Sequence, residues 1–223
     1  MADQSLIESK LRTPRAAAIA GILFSVLLTT ALVLLRLSVP TDPLEPGAWL
    51  GTSSKQVMVG LHMVPFAGIA FLWFIAVLRD RLGEAEDRFF ATVLLGSGFA
   101  FLTLLFVAAA AAGAIIVAAG TKPDALTHSG AYTFARAFAY TVMNIYALKA
   151  AAVFMISTST LTIYTGIAAS WIAYLGYALA LFLLLGGGFT DWTFLVFPLW
   201  VLLMSVDVLI DNLRRSPRTA GPG

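Results

Sequence analysis

The sequence predicts an all-α polytopic membrane protein with six transmembrane helices and both termini in the cytoplasm. Three observations lead there. Of its 223 residues, 60% are hydrophobic and 12% charged, whereas water-soluble domains average about 25% charged. Six apolar stretches reach the roughly 20 residues that cross about 30 Å of hydrocarbon as a helix. Lys and Arg gather at alternate ends of those stretches, and cytoplasmic segments are the ones that hold such an excess.

The spans fall at 16–38, 57–78, 89–118, 131–156, 161–185 and 192–210. A cytoplasmic N-terminal segment at 1–15 precedes the transmembrane domain at 16–212, and a basic cytoplasmic tail at 213–223 follows it. The first span is a retained helix: its apolar run exceeds the 7–15 residues of a signal h-region, and no A-x-A site follows. Pro40, Pro43, Pro46 and Gly47 then break any helix, and Trp49 suits an interfacial anchor in this outer loop. In the second span, Pro65 removes a backbone hydrogen bond and frees the carbonyl of Leu61. The third is long enough to tilt or protrude, and its "VAAAAAGAIIVAAG" ends in a glycine suited to a helix C-cap. The run Gly186, Gly187, Gly188 reads as a flexible turn, and Asp191 as a cap on the sixth span.

With six alternating spans, Lys10, Arg12, Arg15, Arg79, Arg81, Arg88, Arg214, Arg215 and Arg218 share the cytoplasmic side, and Arg36, Lys55 and Lys122 the outer side. The loop "RDRLGEAEDR" reads as a solvated connection in which Arg79 and Arg81 can meet Glu84, Glu86 or Asp87. Arginine outnumbers lysine ten to four and no N-x-[ST] sequon occurs, which favours a bacterial inner membrane. Small residues four apart, as in Ala17 and Gly21, Ala108 and Ala112, Gly166 and Ser170, Gly176 and Ala180, mark where helices approach closely or where subunits meet. Helices 1–3 and 4–6 share no defensible repeat, such as paired transporter halves show.

Composition narrows the chemistry. The absence of Cys excludes disulfides, thiolate metal sites and a cysteine nucleophile. With only His62 and His128, neither a bis-histidine haem nor a His-rich zinc site is expected. P-loop, G-x-S-x-G, H-E-x-x-H and Rossmann patterns are absent, no basic run with interleaved aromatics suggests a nucleic acid, and no cofactor is expected.

The informative residues are the polar ones inside the spans. An ionised side chain at a bilayer centre costs about 2.5–3.5 kcal/mol on insertion scales unless it snorkels or pairs. Tyr132, Arg136, Tyr140 and Asn144 are successive i, i+4 neighbours, forming one polar stripe that suits a water-filled cavity or an anion-attracting site. The bland alternatives are a snorkelling Arg136, Tyr132 in the aromatic belt and Asn144 bonded to a neighbouring helix. Lys149 needs a carboxylate, and Asp207, with Asp211 a turn further on, is at comparable depth; Trp200 and Met204 continue that face. A Lys149–Asp207 pair is therefore expected, as a structural tie or as a protonation or ion-binding switch. His62, Ile69 and Trp73 share a face of the second span with Lys55, and beside the Pro65 kink His62 suits a gate or a simple interhelical bond. His128 is expected in solvent.

These features favour a channel or small-solute or ion transporter, anion-preferring, whose polar site is formed by helices 2, 4 and 6 and includes Arg136, Tyr140, Asn144, Lys149, His62, Trp73 and Asp207. Six helices leave little interior, so a homo-oligomer in the lipid bilayer is expected. A docking, assembly or lipid-binding subunit is the alternative. An intramembrane enzyme is the third reading, for which no compact acid–base cluster is evident.

Overall fold

The computed structural model describes residues 2–40, 42, 47–80, 88–120, 129–186 and 192–215, and every element among them is helical. In order these are α1 (Ala2–Ser38), the single turn α2 (Trp49–Thr52), α3 (Ser54–Asp80), α4 (Arg88–Ala119) and α5 (Gly130–Thr141). A π-helical turn (Val142–Ala147) continues α5 into α6 (Leu148–Thr165); α7 (Ser170–Leu185) follows, and a 3₁₀ turn (Thr193–Leu195) leads into α8 (Val196–Arg215).

Five stretches are long and apolar enough to cross a membrane: Ala18–Ser38, Ser54–Arg79, Phe89–Ala119, Gly130–Thr165 and Thr193–Arg214. This supports an integral membrane protein. Of the six expected spans, the fifth corresponds to Ser170–Leu185, which has 16 residues, about 24 Å of helix where a full crossing takes about 30 Å.

The boundary between the expected fourth and fifth spans also moves. The apolar pattern puts it at 157–160, inside "STSTLT", yet the helix runs on to Thr165. The hydroxyls there do not compete with the helix. Ser157, Thr160, Thr162 and Thr165 each donate to the carbonyl four residues back, at 2.7–3.1 Å. Termination comes at Gly166, whose φ of 62° is the left-handed cap that glycine adopts without strain, its N–H donating to Thr162 O at 2.9 Å.

α1 lies along α3 and α8, α4 packs on α3, α5 and α6, and α7 folds back on α6. Phe24, Phe71, Phe101, Phe154 and Phe197, from α1, α3, α4, α6 and α8, meet at one level and are fully buried. Their ring centroids lie 4.6 Å (Phe24 to Phe71), 4.7 Å (Phe101 to Phe197), 5.2 Å (Phe71 to Phe154) and 5.5 Å (Phe71 to Phe101) apart, mostly edge-on or tilted. Helix approach around this layer depends on small residues. A Cβ at Gly21 would collide with Ser205 Oγ and Phe74, and one at Gly176 with Ser159 Oγ and Trp200. Gly21 and Gly176 thus pack the bundle as their spacing suggested, whereas Gly166 serves as a cap.

Removing the central ring tests the layer. Phe71→Ala is expected to destabilise the detergent-solubilised protein by about 2–3 kcal/mol. That is below the 3–5 kcal/mol of water-soluble cores, because apolar transfer from lipid contributes little and the lost packing remains. Phe99→Ala, on the exposed face of α4, should change thermal unfolding by less than about 0.5 kcal/mol. Equal shifts for the two variants would remove the central role of the layer.

Candidate functional site

At the end of the bundle where α1 finishes and α5 begins, a cavity of about 200 Å³ opens between α1, α3, α4 and α5. Leu35, Leu61, Leu105, Ala112, Ile115 and Met143 represent its apolar wall. Ala108 and Ala112, whose four-residue spacing suggested a helix contact, leave the space that larger side chains would fill. Along α4 the wall extends from Leu105 to Ile115, about 15 Å at the helical rise. Among the described residues Arg136 is the only charged side chain on this wall. Tyr140 also lines it and is 44% exposed, so the cavity reaches the flank of the bundle beside α5.

Arg136 sits at one end of the cavity because Ser129 caps α5, its hydroxyl accepting from Tyr132 N at 3.4 Å and fixing the first turn. Arg136 as a whole is 7% exposed. Nη2 donates to Pro40 O at 2.8 Å and Nη1 to the Tyr132 hydroxyl at 3.4 Å, with the Tyr132 ring centroid 5.7 Å away. Trp49 Nε1 donates to the same hydroxyl at 3.0 Å. Trp49, Tyr132, Val57, Leu61 and Ile115 form a small buried cluster over this end. Arg136 therefore turns into the protein and ties α5 to the segment after α1 instead of snorkelling, and Trp49 is buried instead of anchoring at an interface.

The expected Lys149–Asp207 pair does not form, for a reason rooted in α7. Lys149 Nζ donates to Leu184 O at 3.0 Å, and Asp207 Oδ2 accepts from Ala169 N at 2.8 Å. The ammonium thus meets a carbonyl in the last turn of α7, and the carboxylate an N–H at its start. Helix ends leave carbonyls and amides without intrahelical partners, and the macrodipole favours a cation at the C-terminus and an anion at the N-terminus. Ala169 offers no side-chain cap of its own. Trp200 Nε1, donating to Ile172 O at 3.2 Å, adds a second tie from α8 to α7. Trp200 and Met204 are buried and Asp207 is half-buried.

His62 and Trp73 lie apart from this cavity. Lys55, His62, Phe66, Ile69 and Trp73 are all exposed, Trp73 at 66%, while Val57, Leu61, Val64, Phe71 and Phe74 form the buried face of α3. Asn144 lies in the π-helical turn and donates to Tyr140 O of its own helix at 3.0 Å, not to a neighbour. Of the seven expected site residues, the cavity gathers Arg136 and Tyr140; α8 contributes nothing to its wall among the described residues. Glu45, residues 81–87, His128, Gly187, Gly188 and Asp191 lie outside the described residues. Around Asp207, a second recess of about 240 Å³ includes Gly166, Asp211 and Arg214.

The capping assignment has a thermodynamic signature. Asp207→Ala and Lys149→Met should each cost about 1–2 kcal/mol, and the double variant should equal their sum within about 0.5 kcal/mol, as for sites at opposite ends of a helix. Coupling above about 1 kcal/mol in chemical or thermal unfolding would reinstate the ion pair. No protein-family model, curated protein or solved structure matches the chain, so geometry alone carries the functional reading.

Proposed function

We propose that the chain is an integral membrane lipid-binding subunit that takes an apolar chain from the bilayer into the cavity between α1, α3, α4 and α5. The observation that carries this reading is the cavity itself, an apolar space about 15 Å long that reaches the flank of the bundle at Tyr140. Water gains little in an apolar space, since it needs two to four polar partners. A hydrocarbon chain already dissolved in lipid gains close contact with the wall.

A channel or transporter preferring anions keeps one supporting observation, the charge of Arg136 on the cavity wall. Its difficulty is the phenylalanine layer, which fills the bundle axis, so passage along one chain requires the interior to open. In our reading α7 completes a sixth, short crossing and both termini face the cytoplasm. The nine Lys and Arg residues near the ends of alternate spans support this, and Arg-rich usage supports a bacterial inner membrane. Assembly as a homo-oligomer extends the same proposal.

Native mass spectrometry of the detergent-solubilised protein tests the binding and reports the subunit number. The wild-type chain is expected to retain a lipid-sized mass. Ala108→Leu with Ala112→Phe should fill the space and reduce that occupancy at least tenfold without lowering the melting temperature. A wild-type protein free of lipid, with anion flux in proteoliposomes above empty vesicles, would favour transport.

A further inference from the structure

Resting on that reading, we infer that the occupant is the end of one unbranched hydrocarbon chain, about eight carbons of it, and that Ala108 and Ala112 on α4 set this length. What the wall can recognise is hydrocarbon. Its Trp49 Nε1 already donates to the Tyr132 hydroxyl at 3.0 Å, and its Pro40 O already accepts from Arg136 Nη2 at 2.8 Å. Apart from these residues and Tyr140 the wall is apolar, so selection falls to the size and shape of the space.

Width supplies the first reason. The volume of about 200 Å³ divided by the length of about 15 Å along α4 gives a mean cross-section of about 13 Å². Carbon atoms meet at about 3.5–4.0 Å, so a single chain of that diameter occupies about 10–13 Å². A methyl branch or a second chain does not fit beside it. Volume supplies the second reason. An apolar cavity of about 150 Å³ holds benzene, with its six carbons, so one of about 200 Å³ holds about eight. Closure supplies the third. Toward the central layer the wall ends at Leu105, next to which Leu102 and Phe101 are buried on the same helix; at the other end Trp49 and Ile115 belong to the small buried cluster. A longer chain therefore leaves its excess in the bilayer, at the flank where Tyr140 is exposed. Ala108 and Ala112 lie between the two closed ends, and each carbon added to either side chain takes the place of a carbon of the occupant.

Radiolabelled n-alkanols of four to fourteen carbons test the limit, partitioned into nanodiscs that hold the full chain, with the Ala108→Leu/Ala112→Phe double variant as the blank. At equal mole fraction in the bilayer, saturable uptake is expected to strengthen at least tenfold from four carbons to about eight and then to level off. Leucine has three more carbons than alanine, so Ala108→Leu and Ala112→Leu should each move the break to about five carbons. If one variant does not fold, the other decides. An octanol with two methyl branches should bind at least tenfold more weakly than n-octanol. Uptake that keeps strengthening to fourteen carbons, a break that neither variant moves, or equal binding of the branched alcohol would overturn the length limit and leave the apolar-chain reading intact. No saturable uptake of any alkanol above the blank would overturn both. The mass that the protein retains from cells gives the source of the chain: a two-chain phospholipid or a single-chain compound supports the inference, and a sterol or branched isoprenoid overturns it.

Discussion

The contact of five phenylalanines fixes the level at which the bundle is closed, and the two ends of the molecule differ because of where the helices stop relative to it. Apolar side chains gain little by leaving lipid for one another, so the layer holds through dispersion contacts and ring geometry that lipid tails cannot match. α1, α3 and α4 continue for three turns or more beyond Phe24, Phe71 and Phe101, and α5 with the π-helical turn extends further from Phe154. By contrast the last helical segment begins at Thr193, only four residues before Phe197, and α7 ends at Leu185, where Leu184 meets Lys149 about one turn from Phe154. Above the layer, therefore, fewer helices share the enclosure. The cavity is what remains where α7 and α8 do not reach.

The same shortness explains both charges. A helix that crosses fully places its terminal amides and carbonyls among headgroups and water, but one about 24 Å long brings its ends within reach of its neighbours. Each end then needs a partner from the protein. Asp207 on α8 supplies one and Lys149 on α6 the other. A hydrogen bond to a charged group contributes about 1.5–3 kcal/mol, comparable to the insertion cost of about 2.5–3.5 kcal/mol for such a residue. The two ions are explained as caps on one helix without touching each other.

Much of this was legible in the sequence. The ends of the second, third and sixth spans fall within a few residues of α3, α4 and the Thr193–Arg214 stretch, because Pro, Gly and charged residues bracket apolar runs. The division between the fourth and fifth spans differs because hydroxyls interrupt the apolar pattern at 157–160, whereas in the structure those side chains bond back along the helix. Lys149 and Asp207 stand out in the sequence as charges that need partners, but the partners are backbone groups exposed at helix ends that the apolar pattern does not locate. For His62 and Trp73 the difficulty is more general. In a membrane helix both faces are apolar, so periodicity shows which residues share a face and not whether that face meets lipid or protein. Arg136 was legible because charge at membrane depth is costly; the Tyr132 hydroxyl that Trp49 and Arg136 both engage was not, since Trp49 is 83 residues away in sequence from Tyr132.

The π-helical turn joins these observations. α6 is held firmly, by Phe154 in the central layer and by the bond from Lys149 to Leu184 O of α7. α5 packs chiefly on α4 and carries Arg136 and Tyr140 over the cavity. Between them, Val142–Ala147 widens the helix, with Met143 on the cavity wall and Asn144 bonded to Tyr140 O. Such turns occur often at functional sites and where one helix must satisfy two packing directions. Here it separates a segment fixed by the core from a segment that forms one wall of the cavity and is tied to the α1 end through Pro40. α5 and the Arg136 tie thus border the cavity directly, while α6 is joined to it through the wide turn and through α4, on which both helices pack.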